Sequence, residues 1–488
     1  MDIRCQNLIG GSFSDGATTR DNICPADGAL LGCAPDSGVE EVAAAVAAAK
    51  EAQRAWGART APQRGQILFN LVRLLERDTD KLARALSLEE GKILPEAVGE
   101  VGKTIRYVEF AAGDCRRMTG ITAQAEVPGT LGMTLWRPLG VVGLITPWNF
   151  PVCIPLWKIA PAIAAGNAVV LKPAPETPAT AHLIAQLCLE AGVPPGIVNV
   201  IHGDADPAKA LIDHPDVKAI SFTGSTDVGL KIEARCGELH KPVQCEMGGK
   251  NPLLVLDDAD LDLAAKACAT GAFGSTGQRC TATSRAIVMA DVADEFVARV
   301  AELACAVVPG HPLHEDTTMG PSVSARQLET VLRYMAIGAE EAELRCGGTR
   351  MIQGRLGSGY FPEPTVFDHV DKDARIATEE IFGPVLSVIR VDTVQQAIEA
   401  ANNVRFGLTG SVFTRDISRA FAVIEHLETG MNHVNNPTIG GEAHLPFGGI
   451  KYTGTGPREM GPDAWRFFSE EKTVYINHGG GARGGNLY

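Results

Sequence analysis

A chain of 488 residues with 45% hydrophobic content is long enough for two or three domains around a substantial core. Its 58 acidic and 44 basic residues leave a formal net charge of −14, which excludes a global attraction to nucleic acid or to an anionic membrane. The start, Met1 to Asn7, has no basic segment followed by an apolar run, no later stretch approaches a membrane span, and the twelve cysteines show neither CxxC pairs nor metal-ligand spacing, so a cytoplasmic, metal-free protein with reduced thiols is expected.

Apolar residues recur at Val39, Val42, Val46, Ala49 and Trp56 with Glu40, Glu41 and Lys50 on the other face, which predicts a helix from Val39 to Trp56. Thr60 then suits an N-cap, Pro62 fits the first turn, and Leu68, Leu71, Val72 and Leu75 form the stripe of a second helix. Between Gly140 and Glu246, short apolar runs alternate with helical stretches. Val141 to Ile145, Ala168 to Leu171, Ile197 to Ile201, Ala219 to Phe222 and Pro242 to Cys245 read as buried strands. Such alternation builds an α/β domain with a parallel sheet covered on both faces, whose ligands gather at the carboxyl ends of the strands. Asn149, Lys172, Gly224 and Glu246 all fall just after these runs. A second alternating block begins at Asn251-Pro252-Leu253-Leu254-Val255-Leu256, continues to about Tyr452, and carries Cys280 and Glu380. Residues 120–138 and 468–477 hold strand-like runs such as Met133-Thr134-Leu135-Trp136, and the Gly-rich end from Gly479 is expected to be mobile.

Two motifs carry chemistry. Cys280 stands in Gly277-Gln278-Arg279-Cys280-Thr281, and Glu246 in Cys245-Glu246-Met247-Gly248-Gly249-Lys250. A thiol nucleophile and a carboxylate base together suit acyl-thioester chemistry, in which the base activates the water that releases the acid. An ordinary thiol is mostly protonated at neutral pH, so its setting has to activate it. Gly277 allows close backbone approach, and the Cys280 N–H beside the Asn149 amide would make an oxyanion site, where loss of one donor typically costs roughly 10² to 10³ in turnover. Phe222-Thr223-Gly224-Ser225-Thr226-Asp227-Val228-Gly229 combines a strand end, a tight turn and a helix start whose amides suit a pyrophosphate, although it is not a GxGxxG fingerprint. Read singly, each has a plain alternative: a buried free cysteine is ordinary core, and Glu246 would be a satisfied structural carboxylate.

In order and spacing, Cys280 and Glu246, together with Asn149 in Pro147-Trp148-Asn149-Phe150-Pro151 and Glu380 in Glu380-Ile381-Phe382-Gly383-Pro384, resemble the aldehyde dehydrogenase superfamily over nearly the whole chain. The resemblance implies oxidation of an aldehyde with NAD or NADP and no metal, Cys280 attacking, Asn149 holding the oxyanion and Glu246 acting as general base. Coenzyme-A-acylating relatives typically lack that carboxylate, so a free acid is the expected product. It also implies cofactor contacts from Thr146, Pro147, Trp148, Lys172 at the adenosine ribose, Pro175, Phe222, Gly224, Ser225, Glu380 at the nicotinamide ribose, and Phe382, with Lys158 a further match. The implied fold is α/β: an NAD(P)-binding domain from 1–119 and 139–249, a catalytic domain from 250–452, and an oligomerisation extension from 120–138 and 468–477 that would make a homodimer or homotetramer, followed by the tail 479–488.

One departure concerns the cofactor. NAD-preferring relatives often carry glutamate three residues after the ribose lysine; here Pro175 stands there, with Glu176, Asp204 and Asp206 nearby and no new arginine or lysine evident, so NAD or NADP use without firm preference is expected. The substrate tunnel by the same alignment would be lined by Phe150, Cys153, Ile154, Trp157, Gly274, Arg279, Thr281, Gly441 and Phe447. Arg279 would pair either with a substrate carboxylate or with a carboxylate of the protein itself. The stretches Ser275 to Thr281 and His444-Leu445-Pro446-Phe447-Gly448-Gly449 resemble the semialdehyde branch, which acts on aldehydes such as succinate or 2-oxoglutarate semialdehyde. The alternatives are a bulkier neutral aldehyde in a glycine-widened tunnel, or a nucleotide-binding protein of this fold without turnover.

Overall fold

The computed structural model describes residues 4–479, so the expected tail beyond Gly479 lies outside the described residues. The first predicted helix runs Val39–Ala58 and buries Val42, Ala45, Val46, Ala49 and Trp56. Val39 is 65% exposed, because the first residue of the helix stands clear of the surface its stripe covers. The second runs Ala61–Arg77 with Thr60 as N-cap. There Gln63 accepts the Thr60 amide at 3.0 Å, supplying one of the orphan bonds of a helix start.

The parallel strands of the first sheet are β1 (Val141–Ile145), β2 (Ala168–Lys172), β3 (Val198–Val200), β4 (Val217–Thr223) and β5 (Val243–Glu246). They lie in the order β3-β2-β1-β4-β5, so the chain winds outward from β1 in one direction and then from β4 in the other. The crevice above the carboxyl ends of β1 and β4 is therefore a topological switch point, where α/β sheets bind ligands. Asn7–Ile9 and Ser12–Ser14 extend one edge, and Gly454–Thr455, from near the other end of the chain, closes the opposite edge against β5.

Only Met247 to Lys250 separate β5 from β6 (Asn251–Val255), the first strand of the second sheet. That sheet adds β7 (Thr283–Met289), β8 (Thr365–Asp368), β9 (Val385–Val391), β10 (Thr409–Phe413) and β11 (Met431–Val434), all parallel, in the order β8-β9-β7-β6-β10-β11, with Glu343–Cys346 antiparallel at the β8 edge. Pro252 sits inside β6, between two neighbours, although proline cannot donate to a ladder; the register with β7 shifts between Asn251 and Pro252 to accommodate it. The short link sets the carboxyl edge of the first sheet against the amino edge of the second. Cys280 and Glu380 accordingly precede β7 and β9 instead of following a strand, so the expected carboxyl-end rule holds for the first sheet alone.

The predicted strand-like ends do pair: Ser469–Asn477 lies antiparallel to Thr130–Pro138 along nine residue pairs, and Thr122–Gln124 adds a third strand. This small sheet carries exposed Leu135, Tyr475 and Ile476. Among the described residues no helix is long and apolar enough to cross a membrane.

Arg285 on β7 ties the link to the second sheet. It is wholly buried and donates to the Lys250 carbonyl at 3.0 and 2.7 Å and to the Ala400 and Ala401 carbonyls, each at 2.8 Å. Ala400 and Ala401 belong to the last turn of the helix Val394–Asn402, where a cation complements the helix dipole. Arg285→Met should lower the urea midpoint of unfolding by the equivalent of roughly 2 to 4 kcal/mol, because three buried carbonyls lose their donor; an unchanged midpoint would show that water replaces the guanidinium.

Candidate active site

The helix Leu261–Phe273, capped by Asp260 accepting the Leu263 amide at 3.1 Å, ends at Gly274 and delivers a strained loop. Ser275, Thr276 and Gly277 have φ of 49°, 58° and 66°. Left-handed backbone is costly for serine and more so for β-branched threonine, and it persists only where surroundings impose it. Here they do. The Ser275 amide donates to Glu96 at 2.8 Å, the Thr276 hydroxyl to the Gly320 carbonyl at 2.9 Å, and the Val323 amide to the Gln278 side chain at 3.0 Å. Gly277 admits no side chain, since a Cβ there would lie 2.2 Å from the Gly383 carbonyl oxygen. The loop presents Cys280 half-buried between the two sheets.

Asn149 approaches this loop from beyond β1. Its side-chain amide donates to the Gln278 carbonyl at 3.1 Å, while its own carbonyl accepts from Lys92 at 2.7 Å. Lys92 is in turn paired with Glu100 at 2.6 Å, both fully buried, and the other Glu100 oxygen accepts the amides of Val152 and Cys153 at 3.0 and 3.1 Å, at the start of α1 (Cys153–Ala164). A chain of charge-assisted bonds thus fixes Asn149 and the helix that follows it. Neither Lys92 nor Glu100 carried a recognisable motif; only their joint burial reveals them.

Glu246, the last residue of β5, is buried with its Oε2 unpartnered among the described residues. Burial first, and the nearby Glu459 second, push its carboxyl well above the usual carboxylate range. Glu459 is paired with Lys158, which also donates to the Ser221 hydroxyl at 2.7 Å, and its Oε2 is likewise unpartnered. The matched Lys158 therefore holds the second carboxylate beside Glu246. The Cys280 thiol is pushed up to about 12, chiefly by burial and then by Glu246 and Glu380. Burial and the two carboxyl groups thus oppose ionisation of the thiol.

The cofactor candidates cluster near the carboxyl ends of β1, β2 and β4 and the loop before β9, except that the Phe222 side chain points into the core. Thr146 and Pro147 follow β1, and the Thr146 amide donates to the Lys172 carbonyl at 3.2 Å. Trp148, from the first sheet, and Phe382, from the second, meet edge-on with centroids 5.5 Å apart. Lys172 donates to the Gly203 and Asp204 carbonyls at 3.2 and 3.1 Å, and burial lowers its ammonium to about 8. Pro175 is half-buried beside it. Ser225 caps α2 (Thr226–Glu238) by its backbone without a side-chain capping bond, which leaves the hydroxyl available. Gly224 must be glycine, as a Cβ would meet the Phe222 ring at 2.5 Å; the Phe222 side chain itself is in the core and supports the turn from beneath. Glu380 accepts the Gly249 amide at 2.8 Å and, with Ser225, lines a cavity of about 840 Å³. The buried hydroxyls of Thr146 and Thr223, at the ends of β1 and β4, have no partner among the described residues. An elongated ligand rich in hydroxyl and phosphate oxygens fits these donors.

On the far side of Cys280, the predicted tunnel residues Phe150, Cys153, Ile154, Trp157 and Phe447 share one apolar cluster with the thiol, joined by Tyr107, Leu408 and Met460, which no motif announced. Thr281 is buried beside it. Gly441 faces Phe447 and Met460, and Gly274 faces Glu96 and Arg279. Arg279 bonds Glu96 at 3.0 Å and the Ser275 hydroxyl at 3.0 and 2.8 Å, so the protein-carboxylate alternative is realised; its Nη1 makes no hydrogen bond among the described residues.

Residues 13–474 match the model of the aldehyde dehydrogenase family. The chain is 42% identical over 449 residues, 92% of each chain, to an alpha-ketoglutaric semialdehyde dehydrogenase of Bacillus subtilis. Among solved structures, a betaine aldehyde dehydrogenase of Staphylococcus aureus in complex with NAD+ superposes with a TM-score of 0.96 at 32% identity, covering 99% of this chain and 96% of that one. An NADP-dependent enzyme of E. coli does so with a TM-score of 0.94 at 36% identity, covering 97% and 98%.

The influence of Glu459 on Glu246 generates a pH prediction. A raised Glu246 carboxyl is deprotonated, and so able to accept a proton, only above its raised pKa. Glu459→Gln removes the like charge, lowers that pKa, and should move the acid limb of the pH profile of kcat to lower pH. A limb that stays in place would exclude Glu459 as the source of the shift.

Proposed function

The chain belongs to the aldehyde dehydrogenase family and is an NAD(P)-dependent oxidoreductase of aldehydes; from that premise we propose that its substrate is a carboxylated semialdehyde, such as succinate or 2-oxoglutarate semialdehyde, released as the free acid. The observation that carries this reading is the convergence on the Cys280 loop of an amide donor, Asn149, and a buried carboxyl, Glu246, with one unpartnered oxygen. The semialdehyde activity named for the Bacillus subtilis relative supports the substrate class.

The Cys280 sulfur attacks the aldehyde carbon, and the thiol proton passes to solvent water as the carbon–sulfur bond forms. The Asn149 amide, already aimed at the Cys280 loop, and the Cys280 N–H stabilise the oxygen that becomes negative. A nicotinamide held near Trp148 and Phe382 would supply the hydride acceptor. Lys172 and Glu380 would hold the two riboses, and the Ser225 hydroxyl with the α2 amides would meet the pyrophosphate. Glu246 then takes a proton from water, which attacks the Cys280 thioester and frees the acid. Glu459, beside Glu246 and tied to Lys158, keeps the carboxyl at a higher pKa than an isolated glutamate would have.

Arg279 supports the charged substrate. Its guanidinium borders the Gly274 side of the tunnel, and its free Nη1 can take one oxygen of a carboxylate while Glu96 holds the rest. Glu96 and Arg279 together make that wall polar, which disfavours a bulkier neutral aldehyde. We also propose that the sheet of Thr122–Gln124, Thr130–Pro138 and Ser469–Asn477 joins copies of the chain as a homodimer or homotetramer, since its exposed edge strand and apolar side chains need cover. Twelve free cysteines support a cytoplasmic setting.

Two tests bear on these roles. Cys280→Ala should abolish oxidation, while Glu246→Gln should retain a stoichiometric burst of reduced cofactor and lose steady-state turnover by roughly 10²-fold or more; steady turnover at the native rate in either variant refutes its role. Arg279→Leu should raise KM roughly 10- to 100-fold for carboxylated aldehydes and little for neutral ones, and an equal rise for both would remove the basis of the substrate reading.

A further inference from the structure

No basic residue near Lys172 in sequence is placed to meet a 2′-phosphate, yet the fold brings one in from the N-terminal hairpin. Arg20 lies on the strand Thr19–Ile23, opposite Ala34 of Leu30–Pro35. That hairpin is docked beside the first sheet where the Ser37 amide donates to the His202 carbonyl at 3.2 Å, one residue before Gly203. Both terminal nitrogens of Arg20 consequently stand 3.4 Å from one Asp204 oxygen, and one of them is 3.4 and 3.5 Å from the two Asp36 oxygens. The Lys172 ammonium is 3.1 Å from the carbonyl of the same Asp204. Arg20 and Lys172 therefore flank a single residue at the end of the adenosine crevice.

We infer that Arg20 is the residue through which this protein takes the 2′-phosphate of NADP, and that Asp204 beside it serves the 2′-hydroxyl of NAD. The inference rests on the assignment of Lys172 to the adenosine ribose. Four observations carry it. At the third position after Lys172 stands Pro175, which has no carboxylate to repel a phosphate. The Arg20 contacts are long for charge-assisted bonds, which close to about 2.7–2.9 Å when well made. The Arg20 side chain is 40% exposed and Asp204 65%, so neither is locked in place. A planar guanidinium offers a phosphate two parallel donors, a better match than one shared carboxylate oxygen. Three carboxyl groups, Glu176, Asp36 and Asp204, also border this end beside the two cations, so that neither cation is left unpaired where a hydroxyl stands in place of the phosphate.

The test needs no aldehyde. Calorimetric titration of the intact protein with 2′,5′-ADP and with 5′-AMP reads the phosphate subsite directly. Arg20→Leu should weaken 2′,5′-ADP roughly 10- to 100-fold relative to 5′-AMP, and Arg20→Lys should recover part of the loss. Lys172→Ala should weaken both ligands. An unchanged ratio in Arg20→Leu overturns the inference, as does an equal loss for both ligands, which would mark Arg20 as a support of the fold. If Lys172→Ala alters neither ligand, the assignment of the ribose subsite falls instead, and the two failures are told apart. The ratio of KM for NADP to KM for NAD should follow the binding ratio in each variant.

Discussion

Everything in this molecule depends on the four residues between the end of β5 and the start of β6. So short a link forces the carboxyl edge of one parallel sheet against the amino edge of the other. Glu246 then enters from the first sheet and Cys280 and Glu380 from the second, although more than thirty residues separate each from the next (246, 280, 380). The link itself has no room for side chains on its glycines. A Cβ on Gly248 would lie 2.2 Å from Glu380, and one on Gly249 would lie 2.7 Å from the Cys280 carbonyl oxygen. Sheet geometry and glycine together bring the Cys280 thiol and the carboxyls of Glu246 and Glu380 into one neighbourhood.

Two buried ion pairs serve this arrangement in different ways. Lys92 and Glu100 spend their remaining bonds on the Asn149 carbonyl and on the amides at the start of α1, so both charges serve to hold that stretch of backbone still. Lys158 and Glu459 leave one carboxylate oxygen unpartnered, as Glu246 does, and the Glu459 charge is near enough to raise the Glu246 carboxyl. An unsatisfied buried polar atom is costly, and like charges at close range add to that cost. The first network gives up freedom for position; the second gives up stability and leaves a carboxyl with a raised pKa. The Cys280 thiol lies against an apolar cluster, with the charges of Glu246 and Glu380 opposing its ionisation.

Several elements could be read directly from the chain. The β1 to β5 runs are continuous apolar stretches because both faces of a parallel sheet are covered, and the helix stripes at Val42, Val46, Ala49 and Trp56, and at Leu68, Leu71, Val72 and Leu75, repeat at the helical period. Pro252 would have argued against a central strand had it not been followed by Leu253, Leu254 and Val255; a local register shift absorbs it. The motifs around Cys280, Glu246, Asn149 and Glu380 stood out because their chemistry requires particular residues next to glycines at strand or helix ends. Val39 was misplaced for a simple reason: periodicity continues to the end of a helix, but the surface that covers the stripe does not.

Local order and residue type were therefore determined by the sequence alone: the strand and helix alternation, the α/β class, and the residues able to do the chemistry. The tertiary structure decided what each of those residues faces. Lys92, Glu100, Glu459 and Arg20 have no signature in the chain, since an ordinary lysine, glutamate or arginine becomes functional only when burial or proximity changes what it costs to be charged. Arg279 shows the same limit from the other side: its place beside Cys280 is written in the sequence, whereas its bond to Glu96 is set by how the helix Leu94–Asp114 packs against the loop. Electrostatic partners are chosen by distance in space, and the chain encodes that distance only through the fold.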